Sequence, residues 1–293
     1  RFVVPFGPGT STDQGARFIG QRLSELARQP VIIDNRPGAN GYIAMQYVLS
    51  QTADGYTLAY GTNTTHAANV SMFKNVPYDF EKDFTSVVMV SDAPMLVVVN
   101  SQSPINSFKD LVAAAKAKPG QLTFGSPGAG SVNHLASEWL AYAAGMKVLH
   151  VPYKGGAPAV SAVASNEVIF TVAGLPGVTP HLQAKRVKVL GITTARRTPQ
   201  TANWMTAQEG GIPGVDASIW VGLFAPKGTP KAIIDRIFNV SAEMLKIPDV
   251  KERYAVVGGA ETIGMPAAGF NARVKKDAER YRNVVKDVGL EPQ

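Results

Sequence analysis

Two segments of the chain gather the residue types that hold a small anion without a fixed cation. The first is Pro5-Phe6-Gly7-Pro8-Gly9-Thr10-Ser11-Thr12-Asp13, following the apolar run Phe2–Val4. The second is Gly125-Ser126-Pro127-Gly128-Ala129-Gly130-Ser131, following Leu122–Phe124. Each leads from a strand-like run into a helix-period one through glycines and hydroxyls. Glycine allows close backbone approach, and a helix start offers unpaired N–H groups with a partial positive charge that attracts anions. The plainer reading is a turn plus a helix cap, with Ser131 and either Thr12 or Asp13 as caps. One such loop favours the plainer reading; two of one design favour a ligand. Neither holds Lys or Arg, and the Gly-Lys of a phosphate loop occurs nowhere, so a carboxylate suits them better than a phosphate. A third segment, Gly61-Thr62-Asn63-Thr64-Thr65-His66, either completes a ligand's hydrogen bonds or caps a following helix. Ala173-Gly174-Leu175-Pro176-Gly177 either closes a cleft or is a plain turn.

Enzyme signatures are poor. Cysteine is absent, which excludes thiolate catalysis, disulfides and Cys-ligated metal. The four histidines, His66, His134, His150 and His181, lack His-x-x-x-His spacing, so no metal site is expected. No Gly-x-Ser-x-Gly elbow occurs, and Ser71–Lys74 matches Ser-x-x-Lys without the Lys-Thr-Gly that should accompany it. A hydrolase would have to use Ser126 or Ser131 with His134. No cofactor is expected.

The elements around these loops read as α/β. Lys plus Arg number 29 against 22 for Asp plus Glu, a net charge of +7, with no dense basic tract to suggest nucleic acid. Hydrophobic residues make up 45%, enough for a sizeable core. Apolar runs such as Met95–Val99 fall far short of the roughly 20 residues that span a bilayer. Short runs at Phe2–Val4, Val31–Ile33, Tyr56–Tyr60, Met95–Val99, Leu122–Phe124, Val148–Val151, Val168–Val172, Val187–Ile192 and Val221–Ala225 read as strands. Helix-period segments alternate with them, opened by Ser107 with Asp110, by Thr229–Pro230 as cap and first position, and by Pro266. That alternation predicts layers around largely parallel sheets. Two distant extended runs, Met95–Asn100 and Trp220–Ala225, are placed to carry the chain out of one lobe and back. Residues 1–98 with 221–293 would then form a first lobe and 99–220 a second, leaving a cleft between them.

The chain resembles the Bug or TctC-like family of periplasmic solute receptors for tripartite tricarboxylate transporters. The matching segments, in family order, are Val4–Gly9 with Asp13 and Ala16-Arg17, Asp34–Gly41, Asp54–Leu58, Gly125–Ser131 with His134-Leu135, His150–Gly156, Pro180–Leu182 and Trp220–Pro226. The resemblance implies a two-lobed Venus-flytrap periplasmic binding protein fold, type II-like, with two crossing strands. It implies that a small carboxylate lies between the glycine loops, held by amides, hydroxyls and waters. Phe6, Gly9, Thr10, Ser11 and Thr12 would face Ser126, Gly128, Ala129, Gly130, Ser131 and Val132. Thr62, Asn63 and Thr64 would line the cleft from one lobe, Ala173 and Gly174 from the other. Thr10 departs from the family's usual glycine and puts a side chain at the pocket. The ligand is an aliphatic dicarboxylate or an aromatic acid, with Phe6 able to wall in either. The implied partners are that carboxylate and membrane transporter subunits, with no nucleic acid, no membrane insertion and a monomeric receptor. Removal of a secretory signal peptide would account for a start at Arg1. A ligand sensor and a serine-dependent hydrolase are the alternatives.

Overall fold

The structure, a computed structural model, describes residues 1–292. Among the described residues, strands β1 (Phe2–Val4), β2 (Ile33–Asn35), β3 (Leu58–Thr62), β4 (Phe84–Asn100), β5 (Leu122–Ser126), β6 (Val148–Pro152), β7 (Phe170–Gly174), β8 (Val187–Ile192), β9 (Ser218–Pro226) and β10 (Glu261–Pro266) alternate with helices. The helices are α1 (Ser11–Ala27), α2 (Tyr42–Leu49), α3 (Asn69–Met72), α4 (Phe80–Asp83), α5 (Phe108–Ala117), α6 (Val132–Ala143), α7 (Gly156–Ala164), α8 (Leu175–Gln183), α9 (Lys231–Lys246), α10 (Pro248–Gly258) and α11 (Ala267–Val288). The strands follow one path, β2-β1-β3-β9-β4-β7-β5-β6, with β10 and β8 also paired to β4. β1 runs parallel to β2 and β3, and β5 runs parallel to β6 and β7. β4 joins the two halves: Phe84–Pro94 pairs with β9, and Met95–Asn100 with β7 and β8.

Strand alternation decides which helices cover which face. Phe2, Val4, Leu58, Tyr60, Val221 and Leu223 pack with Ala16, Ile19 and Leu23 of α1 and with Ile234 and Tyr254 of α9 and α10. Their neighbours Val3, Ala59, Trp220 and Phe224 pack on the other face with Met45 of α2 and Phe270, Val274 and Tyr281 of α11. In the second half Met95, Val97, Phe124 and Phe170 meet α5 and α6, while Leu96, Val98 and Ala173 meet α7 and α8.

Three sequence expectations change. The sheet is mixed rather than largely parallel, because β4 and β9 run antiparallel to every strand they pair with. β4 is 17 residues long where only Met95–Val99 read as strand, because Ser86, Ser91, Asp92 and Pro94 interrupt its apolar pattern and register shifts break its ladder. Thr229 does not cap α9: its hydroxyl donates to the Pro226 carbonyl at 2.8 Å, and Pro230 holds the cap position itself.

One core residue makes stability depend on pH. His66 is fully buried, stacked on Phe224 with 3.6 Å between ring centres, and its Nδ1 lies 2.8 Å from Thr65 Oγ1. Burial lowers its pKa to about 3, so it stays neutral while an unfolded chain's histidine charges near 6.5. The unfolded state therefore binds more protons below that value, and stability is full above pH 6.5 and lost as pH falls. At pH 5 the loss from His66 is about 2 kcal/mol. Thermal melts are expected to show a lower transition at pH 5 than at pH 7.5, with His66→Phe flattening the difference; equal slopes in the two proteins would contradict this.

Candidate functional site

The register places the carboxyl ends of both parallel strand sets against the crossing strands. Thr62 at the end of β3 lies across from Val221 of β9, which lies across from Ser91 of β4. Gly174 at the end of β7 lies across from Met95, four residues further along β4. Open α/β sheets bind ligands outside the carboxyl ends of their strands. A cleft opens there, lined by Ser11, Thr12, Gln14, Gly15 and Phe18 of α1, by Tyr60, and by Ser91, Ala93, Ile219 and Val221 of the crossing strands. Gly174 and Pro176 close it from the second half, Arg253, Tyr254 and Ala260 from the first. Its walls are mostly apolar with a few polar groups, the usual make-up of a small-molecule site.

Both glycine loops run from a parallel strand into a helix, and their local bonding agrees atom for atom. Thr10 is the cap of α1 and Ser131 the cap of α6. The Thr10 hydroxyl accepts from the Asp13 amide at 3.3 Å and donates to the Gly7 carbonyl at 2.9 Å. The Ser131 hydroxyl accepts from the His134 amide at 3.2 Å and donates to the Gly128 carbonyl at 2.8 Å. The cap of α1 is thus Thr10, neither Thr12 nor Asp13, and its hydroxyl is turned into the helix start. Because each cap satisfies the third helical amide, the first two, Ser11 and Thr12 in α1 and Val132 and Asn133 in α6, keep N–H groups that no helical carbonyl takes. Such amides can hold an anion; Ser11 and Thr12 line the cleft, while residues 126–133 do not.

Asp13 is buried behind the first loop. Burial pushes its carboxyl up, but hydrogen bonds from Arg17, the Gly9 amide and Asn35 outweigh this and hold it below the usual carboxylate range. The charge it carries is therefore balanced by Arg17, 3.0 Å away.

The segment Gly38–Gly41 ties the two loops together. A Cβ on Gly41 would lie 2.8 Å from Pro5, so the backbone approaches the first loop as only glycine allows. The neighbouring Asn40 side chain donates to the Ala129 carbonyl of the second loop at 2.8 Å. Gly130 lies against Asn40, Met72 and Phe73. Asn40 is absent from the residues expected from sequence, as its partner lies 89 positions away.

The remaining expected residues divide. Thr62, Asn63 and Thr64 are buried, Thr62 as the end of β3, Asn63 as the cap and Thr64–Ala68 as a wide π-helical turn rather than a loop. The Asn63 amide nitrogen donates to the Ser218 carbonyl at 2.7 Å and the Tyr281 hydroxyl at 3.0 Å, pinning β3 to β9 and α11. Its Oδ1 and the Thr62 hydroxyl are buried without a protein partner among the described residues. Phe6 is half-buried and its carbonyl accepts from Asn35 at 3.0 Å. Ala173 and Gly174 belong to β7, which runs two residues further than the pattern suggested. Of the expected residues, Ser11, Thr12 and Gly174 line the open cleft, while Gly15, Phe18, Tyr60, Ser91, Arg253 and Tyr254 join them unforeseen. The Tyr60 and Tyr254 hydroxyls meet at 3.1 Å and come from residues 194 positions apart.

Neither Ser126 nor Ser131 is paired with the His134 ring, and the one serine that meets a histidine ring here, Ser126, is out of reach of solvent. Ser126 is fully buried, its hydroxyl donating to the Gly128 carbonyl at 3.1 Å and lying 2.6 Å from His150 Nε2. Burial and the nearby His134 lower the His150 pKa to about 4. Ser131 meets the backbone of His134, not its ring, and that ring accepts from the Gly130 amide. The hydrolase reading loses its geometry. No group of three metal-ligating side chains converges among the described residues, and no helix there is long and apolar enough to cross a membrane.

Known proteins resemble the chain in sequence and in fold. The sequence profile of the tripartite tricarboxylate transporter family receptor matches residues 16–290. The BugT protein of Bordetella pertussis is 32% identical over 292 residues, covering 99% of this chain and 89% of its own. The Rpa4515 protein of R. palustris, solved with adipate, superposes with a TM-score of 0.94 at 35% identity, covering 100% of this chain and 97% of that one. MatC of Rhodopseudomonas palustris, solved with bound malate, gives a TM-score of 0.88 at 30% identity over 97% and 98% of the two chains.

Proposed function

This chain belongs to the tripartite tricarboxylate transporter receptor family, a family of receptors rather than enzymes, and from that premise we propose that it captures a small organic carboxylate between two lobes and delivers it to a membrane transporter. The observation that carries this reading is the matched pair of capped helix starts. Each leaves two backbone N–H groups without a helical partner; those of Ser11 and Thr12 lie at the cleft, and those of Val132 and Asn133 would reach the ligand from the second loop. The loops, which hold no Lys or Arg, bind a carboxylate through amide dipoles, with Arg253 also lining the cleft, and contacts from both lobes favour their approach. Residues 1–98 with 221–293 form the first lobe and 99–220 the second, turning about the crossing strands near Asp92–Met95 and Ser218–Val221. The proposed site comprises Phe6, Gly9, Thr10, Ser11 and Thr12, then Thr62 and Thr64, then Ser126 to Val132 and Ala173-Gly174. Asn63 acts behind them as a strut. The protein works as a periplasmic monomer.

Adipate and malate occupy relatives of this chain, so open-chain dicarboxylates are the first ligands for it. The mostly apolar walls between the polar groups suit a methylene chain. A thermal-shift titration tests this with adipate, malate, benzoate and the neutral isostere hexane-1,6-diol. A ligand that binds only the folded protein raises the transition by RT ln(1 + [L]/Kd), so the shift must grow with concentration. Shifts from a dicarboxylate and none from the diol are expected. Equal shifts from acid and diol, or none from any acid with no small molecule released on denaturation, would overturn the reading.

A further inference from the structure

The agreement between the two loops extends one bond further, to side chains of different chemistry. Gly9 donates its amide to Asp13 Oδ2 at 2.8 Å, and Gly130 donates its amide to His134 Nδ1 at 3.2 Å. Both glycines have left-handed backbone, φ +82° and +78°, directly before the cap. Both acceptors sit four residues on, at the third helical position. Oδ of aspartate and Nδ1 of histidine lie the same number of bonds from the backbone, so either side chain closes the same ring.

We infer that Asp13 and His134 are equivalent positioning residues, each locking its glycine so that the two free helix-start amides after it stay aimed at the ligand. The caps themselves do not need this bond, because Thr10 and Ser131 already satisfy the third amide of each helix. What it fixes is the glycine, the residue with the most backbone freedom to lose. Accepting at Nδ1 requires the His134 proton on Nε2, which points toward Glu138 Oε1 at 3.7 Å. Phe124 and His150 pack against the ring, 6.0 and 4.0 Å between centres, and hold its orientation. Asp13 is braced instead by Arg17 and Asn35. The effect of this lock on ligand binding rests on the function proposed above; the lock itself does not.

The test therefore has one arm without ligand and one with adipate. In the ligand-free protein, nitrogen NMR of labelled histidine is expected to show His134 protonated on Nε2. Hydrogen exchange at the Gly130 amide should speed up about fivefold in His134→Leu, the worth of one neutral hydrogen bond, and stay near wild type in His134→Asn. Asparagine keeps a neutral acceptor at the same reach, so it should also restore the adipate affinity that leucine loses. A proton on Nδ1, unchanged Gly130 exchange in His134→Leu, or an asparagine variant that behaves like leucine would each overturn the inference. If exchange responds as stated while adipate binds no variant and not the wild type, the lock stands and the carboxylate reading falls.

Discussion

Gly130→Val is expected to abolish carboxylate capture while leaving a folded protein. Gly130 has φ +78°, a conformation strained for any L side chain and worst for a β-branched one. Its absent Cβ would lie 3.2 Å from Asn40 Nδ2 and Met72 Cβ and 3.3 Å from the Phe73 ring, so valine's further methyl groups run into these residues. The second loop cannot then seat, the Asn40 bond to Ala129 is lost, and the Val132 and Asn133 amides move away from the ligand. The cost in affinity is at least about a hundredfold, because both sides of the site must be assembled at once. The clash is with Asn40, Met72 and Phe73, not with the Phe124, Leu140 and Phe170 core beneath α6, so that core still packs. Titration calorimetry with adipate and a circular-dichroism melt read the two effects separately. Affinity within a factor of about two of wild type would remove this loop from the site.

Asp277→Ala carries the largest expected loss of stability. The carboxylate is 2% exposed on α11, accepting from Trp220 Nε1 at 2.7 Å and Arg273 Nε at 2.8 Å. Arg273 continues to Asp92 Oδ2 at 3.1 Å and Ser218 Oγ at 2.9 Å, and Arg280 reaches the Asp216 carbonyl at 2.6 Å. The helix thereby clamps both crossing strands from the side opposite the cleft. Burial pushes Asp92 up, and Arg273 opposes that shift. Removing Asp277 leaves the indole N–H buried without its acceptor and Arg273 with Asp92 as its remaining carboxylate, at a cost of about 3 kcal/mol. A transition lowered by roughly 10 °C follows, and Asp277→Asn should recover part of it by keeping an acceptor. A melt within about 2 °C of wild type would show that the network contributes nothing net.

What the sequence made legible was local. The glycine loops, the alternation of strands and helices, and the Ser107 cap are set by residues within a few positions of one another, and Ser107 does accept from Asp110 at 3.1 Å. The missing parts were long-range. The first half of β4 hides behind Ser91, Asp92 and Pro94, which are tolerated because β9 and α11 supply their partners. α10 and β10 lack a clear apolar period, yet they bring Arg253, Tyr254 and Ala260 to the cleft. The roles of Thr10 and Asn63 were hidden differently. Their polar groups suit a ligand and a protein partner equally well, and only the fold shows Thr10 turned into its helix and the Asn63 amide nitrogen on Tyr281.

The central claim is that a carboxylate is held by the amides of both helix starts. Backbone amide NMR tests it most directly, by titrating the protein with adipate and, in parallel, with hexane-1,6-diol. The account predicts saturable shifts at Ser11, Thr12, Val132 and Asn133, in both loops with one midpoint, for the acid and not for the diol. Shifts confined to one loop, or produced alike by the diol, would contradict it.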